Sequence, residues 1–153
     1  MSAHKPLEGV KVVELASFVA APTAGRMMAE MGADVIRVES TAGDPWRFYG
    51  ANCGLPITDE ENPLFDIYNL GKKDIQLNTK TPEGKEILFH LLDEADVFIT
   101  NNRLKSLVRS GLDYESLKDR FPKLIYGLVT GYGQTGPDVD APGYDGVAFF
   151  SRS

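Results

Sequence analysis

Side chains able to do chemistry gather at a few places along the 153 residues. Asn101-Asn102-Arg103, Arg109 and Asp145 stand out because each lies where a strand-like or short helical stretch gives way to a loop. An amide pair followed by a guanidinium supplies donors and acceptors for a polar, anionic small molecule, and Arg109 adds a planar fork suited to phosphate. Each has a second reading. Asn closes turns because it tolerates left-handed backbone, and a cation at Arg109, just ahead of Gly111, also suits a helix C-terminus. Asp145 follows Pro142-Gly143-Tyr144 and precedes an apolar stretch, where it can accept hydrogen bonds from a ligand or cap the next element. The two roles are compatible.

Other chemistries find little support. His4, His90 and the single Cys53 are too scattered for a metal site, and neither G-x-S-x-G nor H-E-x-x-H occurs. The remaining carboxylates fall mostly on helix surfaces and caps and read as solvated. A formal charge of −6 argues against nucleic acid or an anionic membrane as partner, so an anionic ligand must be held by local Arg, Lys and N–H groups. With 42% apolar and 25% charged residues the chain can bury one sizeable core, which predicts one domain. One cysteine excludes an internal disulfide, and no secretory or bilayer-length apolar segment is present, which places the protein in the cytoplasm.

These residues need a scaffold, and Val10–Ser40 supplies its unit. Val10–Leu15 and Asp34–Glu39 are short β-branched runs that read as buried parallel strands. Between them Ala24, Met27, Met28 and Met31 recur at i, i+3, i+4 and i+7, one apolar face of a helix with Pro22 in its first turn and Gly32 past its end. The loop Ala16–Ala21 therefore lies at the carboxyl edge of a sheet beside a helix N-terminus, where ligands with phosphates or acyl oxygens bind. It is not G-x-G-x-x-G, and Phe18 and Val19 would obstruct a tightly apposed pyrophosphate. Ordinary dinucleotide binding is disfavoured.

Thr41–Pro63 is a long excursion carrying Trp46, Phe48 and Tyr49, folded either over its own core or against another chain. Asp74–Asn78 alternates like a strand. Thr81-Pro82-Glu83 then opens a helix with Ile87, Leu88, Leu91 and Leu92 on its apolar face, ending near Glu94. Ala95–Thr100 is the next strand, delivering Asn101–Arg103 to the same edge as the first loop. Short helices follow, one with Leu104, Leu107 and Val108 on one face and one capped by Asp113 through Arg120; Leu124–Val129 is the last strand and Val147–Phe150 begins an apolar element. The reading is an α/β fold, a parallel sheet flanked by helices, binding an anionic, partly apolar small molecule at one edge.

Taken in order, LEGVKVVELASFVAAPTAGRMMAEMGADVIRVES, NLGKKDIQLNTKTPEGKEIL, ADVFITNNR, GLDYESLKDRFPKLIYG and TGYGQTGPDVDAPGYDG resemble the class III (CaiB/BaiF) CoA-transferases, and most the branch acting on 2-hydroxy acids such as 2-hydroxyisocaproate or phenyllactate. The resemblance implies that residues 1–153 are the N-terminal CoA-binding part of a Rossmann-like large domain, stopping before the catalytic carboxylate and a small domain. It implies acyl-CoA and a small carboxylic acid as substrates, no covalently bound cofactor, no metal, and an interlocked homodimer. By the same resemblance Phe18, Val19 and Ala20 contact the adenine and ribose region, Leu77 lies near the adenine, Asn101 and Asn102 follow the strand exit, Arg109 meets phosphate and Asp145 lies near the reacting thioester. Ser40 stands where many members carry a basic residue. The nucleophilic aspartate, which forms a mixed anhydride and then an aspartyl-CoA thioester, is expected beyond Ser153. Two rivals remain: a non-catalytic CoA-binding fragment, and a racemase of the same superfamily. The racemase needs a histidine where Tyr144 stands, and a phenol is a poor base at neutral pH.

Overall fold

The computed structural model describes residues 4–58 and 60–150, and for Asp145, Ala148 and Phe149 the main chain alone. Strands β1 (Lys11–Leu15), β2 (Asp34–Glu39), β3 (Lys73–Gln76), β4 (Val97–Thr100) and β5 (Ile125–Leu128) form one parallel sheet in the order β3-β2-β1-β4-β5. Parallel strands need crossovers, and here helices supply them on both faces.

The pleat sorts the core into two layers. Val13, Leu15, Val38 and Phe98 face α4 (Pro82–Glu94), α5 (Leu104–Ser110) and α6 (Tyr114–Leu117), burying Leu88, Leu92, Leu107 and Leu117. Val12, Ala16, Val35 and Ile99 point the other way, toward α1 (Ala20–Glu30), with Ala21 and Ala33 buried against them. α3 (Pro63–Asn69) packs beside α1.

Several expected details change. The inward face of α1 is Ala21, Ala24, Gly25 and Met28, one turn-step round from the expected one, leaving Met27 54% and Met31 38% exposed. Close approach decides this: a Cβ on Gly25 would stand 1.8 Å from Glu14 Oε2, so the helix seats its small residues and turns two methionines outward. The strand expected at Asp74–Asn78 is Lys73–Gln76, although Leu77 N still donates to Glu39 O at 2.9 Å. The helix after Asp113 ends at Leu117 instead of Arg120, and Asp113 gives no N-cap bond, its carboxylate accepting instead from Ser116 Oγ at 2.5 Å.

The excursion 41–63 folds over its own domain through α2 (Trp46–Tyr49) and a 3-10 turn at Gly50–Cys53. Trp46 Nε1 donates to Leu64 O at 3.1 Å, while Phe48 and Tyr49 stay substantially exposed. The chain then enters α3 through Asn62, whose side chain accepts from Phe65 N, with Pro63 in the first turn. The described residues end in α7 (Asp145–Phe150), a helix at the expected apolar element.

Candidate functional site

In a parallel sheet every strand exits at the same edge, and the crevice opens where chain order reverses, between β1 and β4. There Leu15 lies opposite Thr100. Thr100 Oγ1 donates to Leu15 O at 2.7 Å and accepts from Asn102 N at 3.2 Å. Beyond the last ladder pair the Asn101 carboxamide takes over: Nδ2 donates to Ser17 O at 2.7 Å and Oδ1 accepts from Ser17 N at 3.0 Å. The Asn101 backbone is not left-handed, and its carboxamide is spent on the neighbouring loop. The Asn102 carboxamide has no hydrogen-bond partner among the described residues and remains available to a ligand.

The loop after β1 carries half-buried Phe18 and Val19 and exposed Ala20. Phe18 has φ +64°, a left-handed conformation that costs a residue with a side chain roughly 1–3 kcal/mol. Its ring meets Trp46 edge-on at 6.3 Å and Tyr144 at 6.0 Å, and Trp46 stacks on Tyr49 at 4.7 Å. Val19, the residue before α1, gives no side-chain cap, so N–H groups of the first helical turn keep their partial positive charge at this edge.

Gly131 and Gly143 cross main chain on main chain: a Cβ on Gly143 would lie 2.2 Å from Gly131 Cα. That crossing carries Tyr144 to Phe18 and so brings the start of α7 to the same edge. Asp145 opens α7, and its side chain lies outside the described residues. Leu77 is half-buried just past β3, at the same edge but two strands from β1 and packed on the α4 layer. Arg109 sits in the last turn of α5, where Arg103, Lys105, Ser106, Arg109 and Asp140 line one depression. Lys105 pairs with Asp140, and among the described residues neither Arg103 nor Arg109 has an ion-pair partner.

The expectation that carboxylates are solvated fails beneath this loop. Glu14, Arg37 and Asp74 stand side by side in register on β1, β2 and β3, and Glu14 and Arg37 are 0% exposed. Arg37 reaches Glu39 at 2.6 Å, Asp74 at 3.0 Å and Glu14 at 3.4 Å, and also binds Asp44. Arg47 closes the cluster on Glu39 and Asp74, both at 2.7 Å, with Phe65 under its guanidinium. Burial opposes ionisation of Glu39, but hydrogen bonds from Arg47 and Asp44 N–H, with Arg37 nearby, hold its pKa down at about 2. Burial pushes the Glu14 carboxyl up and the Lys72 ammonium down, each partly countered by the other at 2.8 Å. Charged residues inside otherwise apolar parallel strands were the available signal for this cluster, because both faces of such strands are covered.

A five-stranded parallel sheet covered by helices on both faces defines a Rossmann-like α/β domain. The profile of CoA-transferase family III matches residues 7–152, and the chain belongs to that family. Over 144 residues it is 54% identical to a cinnamoyl-CoA:phenyllactate CoA-transferase of Clostridium sporogenes, covering 94% of this chain and 35% of that protein. It is 47% identical over 146 residues to an (R)-2-hydroxy-4-methylpentanoate CoA-transferase of Clostridioides difficile, covering 95% of this chain and 37% of the relative. A crystal structure of a CaiB/BaiF family protein from Brucella suis superposes with a TM-score of 0.85 at 44% identity, covering 93% of this chain and 38% of that one. The chain thus spans about a third of the length of these relatives. Among the described residues, no helix is long and apolar enough to cross a membrane.

Proposed function

We propose that the full protein moves CoA between an acyl-CoA and a carboxylic acid, with 2-hydroxy acids as the acyl partners. The observation that carries this reading is the identity of 54% and 47% to two proteins named for CoA transfer to phenyllactate and 2-hydroxy-4-methylpentanoate. In this reading Phe18, Val19 and Ala20 receive the adenine and ribose, with Leu77 near the adenine. Asn102 meets the ligand directly while Asn101 sets the loop, and Arg109 takes phosphate with Arg103 beside it. Asp145 lies by the thioester.

The chemistry is acyl exchange through a carboxylate supplied outside these residues. An aspartate attacks the acyl-CoA carbonyl and expels CoA thiolate, leaving a mixed anhydride. The thiolate then attacks the aspartyl carbonyl, releasing the first acid and forming an aspartyl thioester. The acceptor acid repeats the sequence in reverse, so one hard exchange becomes easier acyl transfers. CoA is a substrate here, and the working assembly is an interlocked homodimer in the cytoplasm.

The test incubates the full protein with cinnamoyl-CoA and a 2-hydroxy acid and follows both thioesters by chromatography. Formation of the 2-hydroxyacyl-CoA in step with loss of the donor is expected. Donor hydrolysis at the same rate without acceptor overturns the reading. These 153 residues alone are expected to transfer no CoA, since losing a covalent nucleophile costs orders of magnitude in rate.

A further inference from the structure

Asp44, on the loop after β2, is 2% exposed, and its carboxylate is committed to main-chain N–H groups and one guanidinium. Oδ1 accepts from Trp46 N at 2.8 Å and Phe18 N at 3.3 Å; Oδ2 accepts from Phe18 N at 3.2 Å and from Arg37 Nη2. Arg37 is itself held by Glu14, Glu39 and Asp74, so Asp44 is anchored to a buried cluster spanning three strands. Its one long-range main-chain acceptor bond falls on Phe18, which among the described residues is the sole non-glycine at positive φ. A left-handed residue with a side chain persists only where its surroundings over-determine it. Side chains hold every residue of this stretch: Arg37 Nη2 donates to Ala16 O at 3.5 Å, Asn101 pairs with Ser17, Asp44 accepts from Phe18 N, and Thr23 Oγ1 donates to Val19 O at 2.7 Å.

We propose that Asp44 is a positioning residue for the acyl-CoA site: its carboxylate holds Phe18 N–H, keeps Phe18 in its left-handed conformation and sets its ring against Trp46. The inference rests on the reading of that loop as a CoA contact. A loop ordered beforehand does not draw on binding energy to become ordered, so releasing it weakens binding without removing any ligand contact. The same carboxylate ties the Trp46 segment to the β1 loop, so both walls of the aromatic cluster shift when it is lost.

The test compares the full chain with Asp44→Asn, which keeps shape and one acceptor oxygen, and Asp44→Ala, which keeps neither. Three quantities are read: amide hydrogen exchange over residues 16–20, calorimetric affinity for CoA, and the thermal midpoint. Asp44→Ala is expected to exchange about tenfold faster in that segment and to bind CoA about tenfold more weakly while remaining folded, with Asp44→Asn recovering part of both losses. Unchanged exchange overturns the proposal, and so does faster exchange with unchanged CoA affinity. Failure of both variants to fold also overturns it, making Asp44 a stability residue. If the unsubstituted chain binds no CoA, the functional reading falls together with the ligand part of the proposal, and the exchange measurement alone decides whether Asp44 holds Phe18.

Discussion

The Asn101 side chain occupies both main-chain hydrogen-bonding groups of Ser17, donating to the carbonyl at 2.7 Å and accepting from the N–H at 3.0 Å. The link between β1 and β4 thereby continues past their last ladder pair, Leu15 and Thr100. The crevice at the switch point has a braced floor where loop ends usually fray.

Asn101→Ala removes both bonds and leaves the Ser17 groups half-buried without a protein partner. A loss of about 1–3 kcal/mol in urea unfolding is expected. Asn101→Asp turns an anionic oxygen toward Ser17 O and is expected to lose more. Equal stability of all three proteins would show that water replaces the carboxamide at no cost.

Gly25→Ala places a methyl within 1.8 Å of Glu14 Oε2 under α1. The helix must lift or the buried Glu14 and Lys72 pair must break, and overpacking of this kind costs about 1–3 kcal/mol. The drop in midpoint caused by Gly25→Ala should be smaller when it is measured against a Glu14→Gly background, in which the space is clear, than against the unsubstituted chain. A neutral single substitution would refute the close packing.

Glu39 titrates near 2 in the folded protein, against 4.5 for an unperturbed carboxyl. A depressed folded pKa means its contribution is present above 4.5 and is lost as pH falls toward 2, at most about 3 kcal/mol. Glu14 and Asp74, raised chiefly by burial, act in the opposite sense: ionisation costs them stability as pH rises through their folded values. Glu39→Gln should therefore flatten the acid limb of the stability profile between pH 4.5 and 2. An unaltered limb would remove Glu39 as its source.

Tyr126 donates to Leu112 O at 2.9 Å, and burial pushes its phenol up to about 12 from 10.0, with Asp113 adding to the shift. The folded state keeps this proton, so its stabilisation is present below pH 10.0 and disappears as pH rises toward 12. Absorbance of tyrosinate should show one phenol ionising near pH 12, absent in Tyr126→Phe.

Arg109→Ala in the full protein should raise KM for the acyl-CoA by about tenfold with little change in kcat, as expected for a phosphate contact that acts equally on ground and transition states. Arg103→Ala should act in the same direction from the same depression. A fall in kcat at constant KM would place Arg109 near the reacting carbonyl.

The amino-acid sequence by itself determined the alternation of strands and helices, because buried β-branched runs, first-turn prolines and glycine stops act over a few residues. It also determined that Phe18 and Asn101 share one edge, since parallel strands leave a sheet on the same side. The helix α3 went unread in the sequence, although Asn62 and Pro63 open it with a local cap of the same kind. What only the tertiary structure decided depends on which faces meet. Methionine spacing marked an apolar stripe on α1, but the helix turned its small residues inward because Glu14 lay beneath Gly25. Glu14, Arg37 and Asp74 are separated along the chain and become an ion row only through strand register. Asp44 finds Phe18 through that row, and whether a carboxylate is solvated or buried is settled by the partners that close over it.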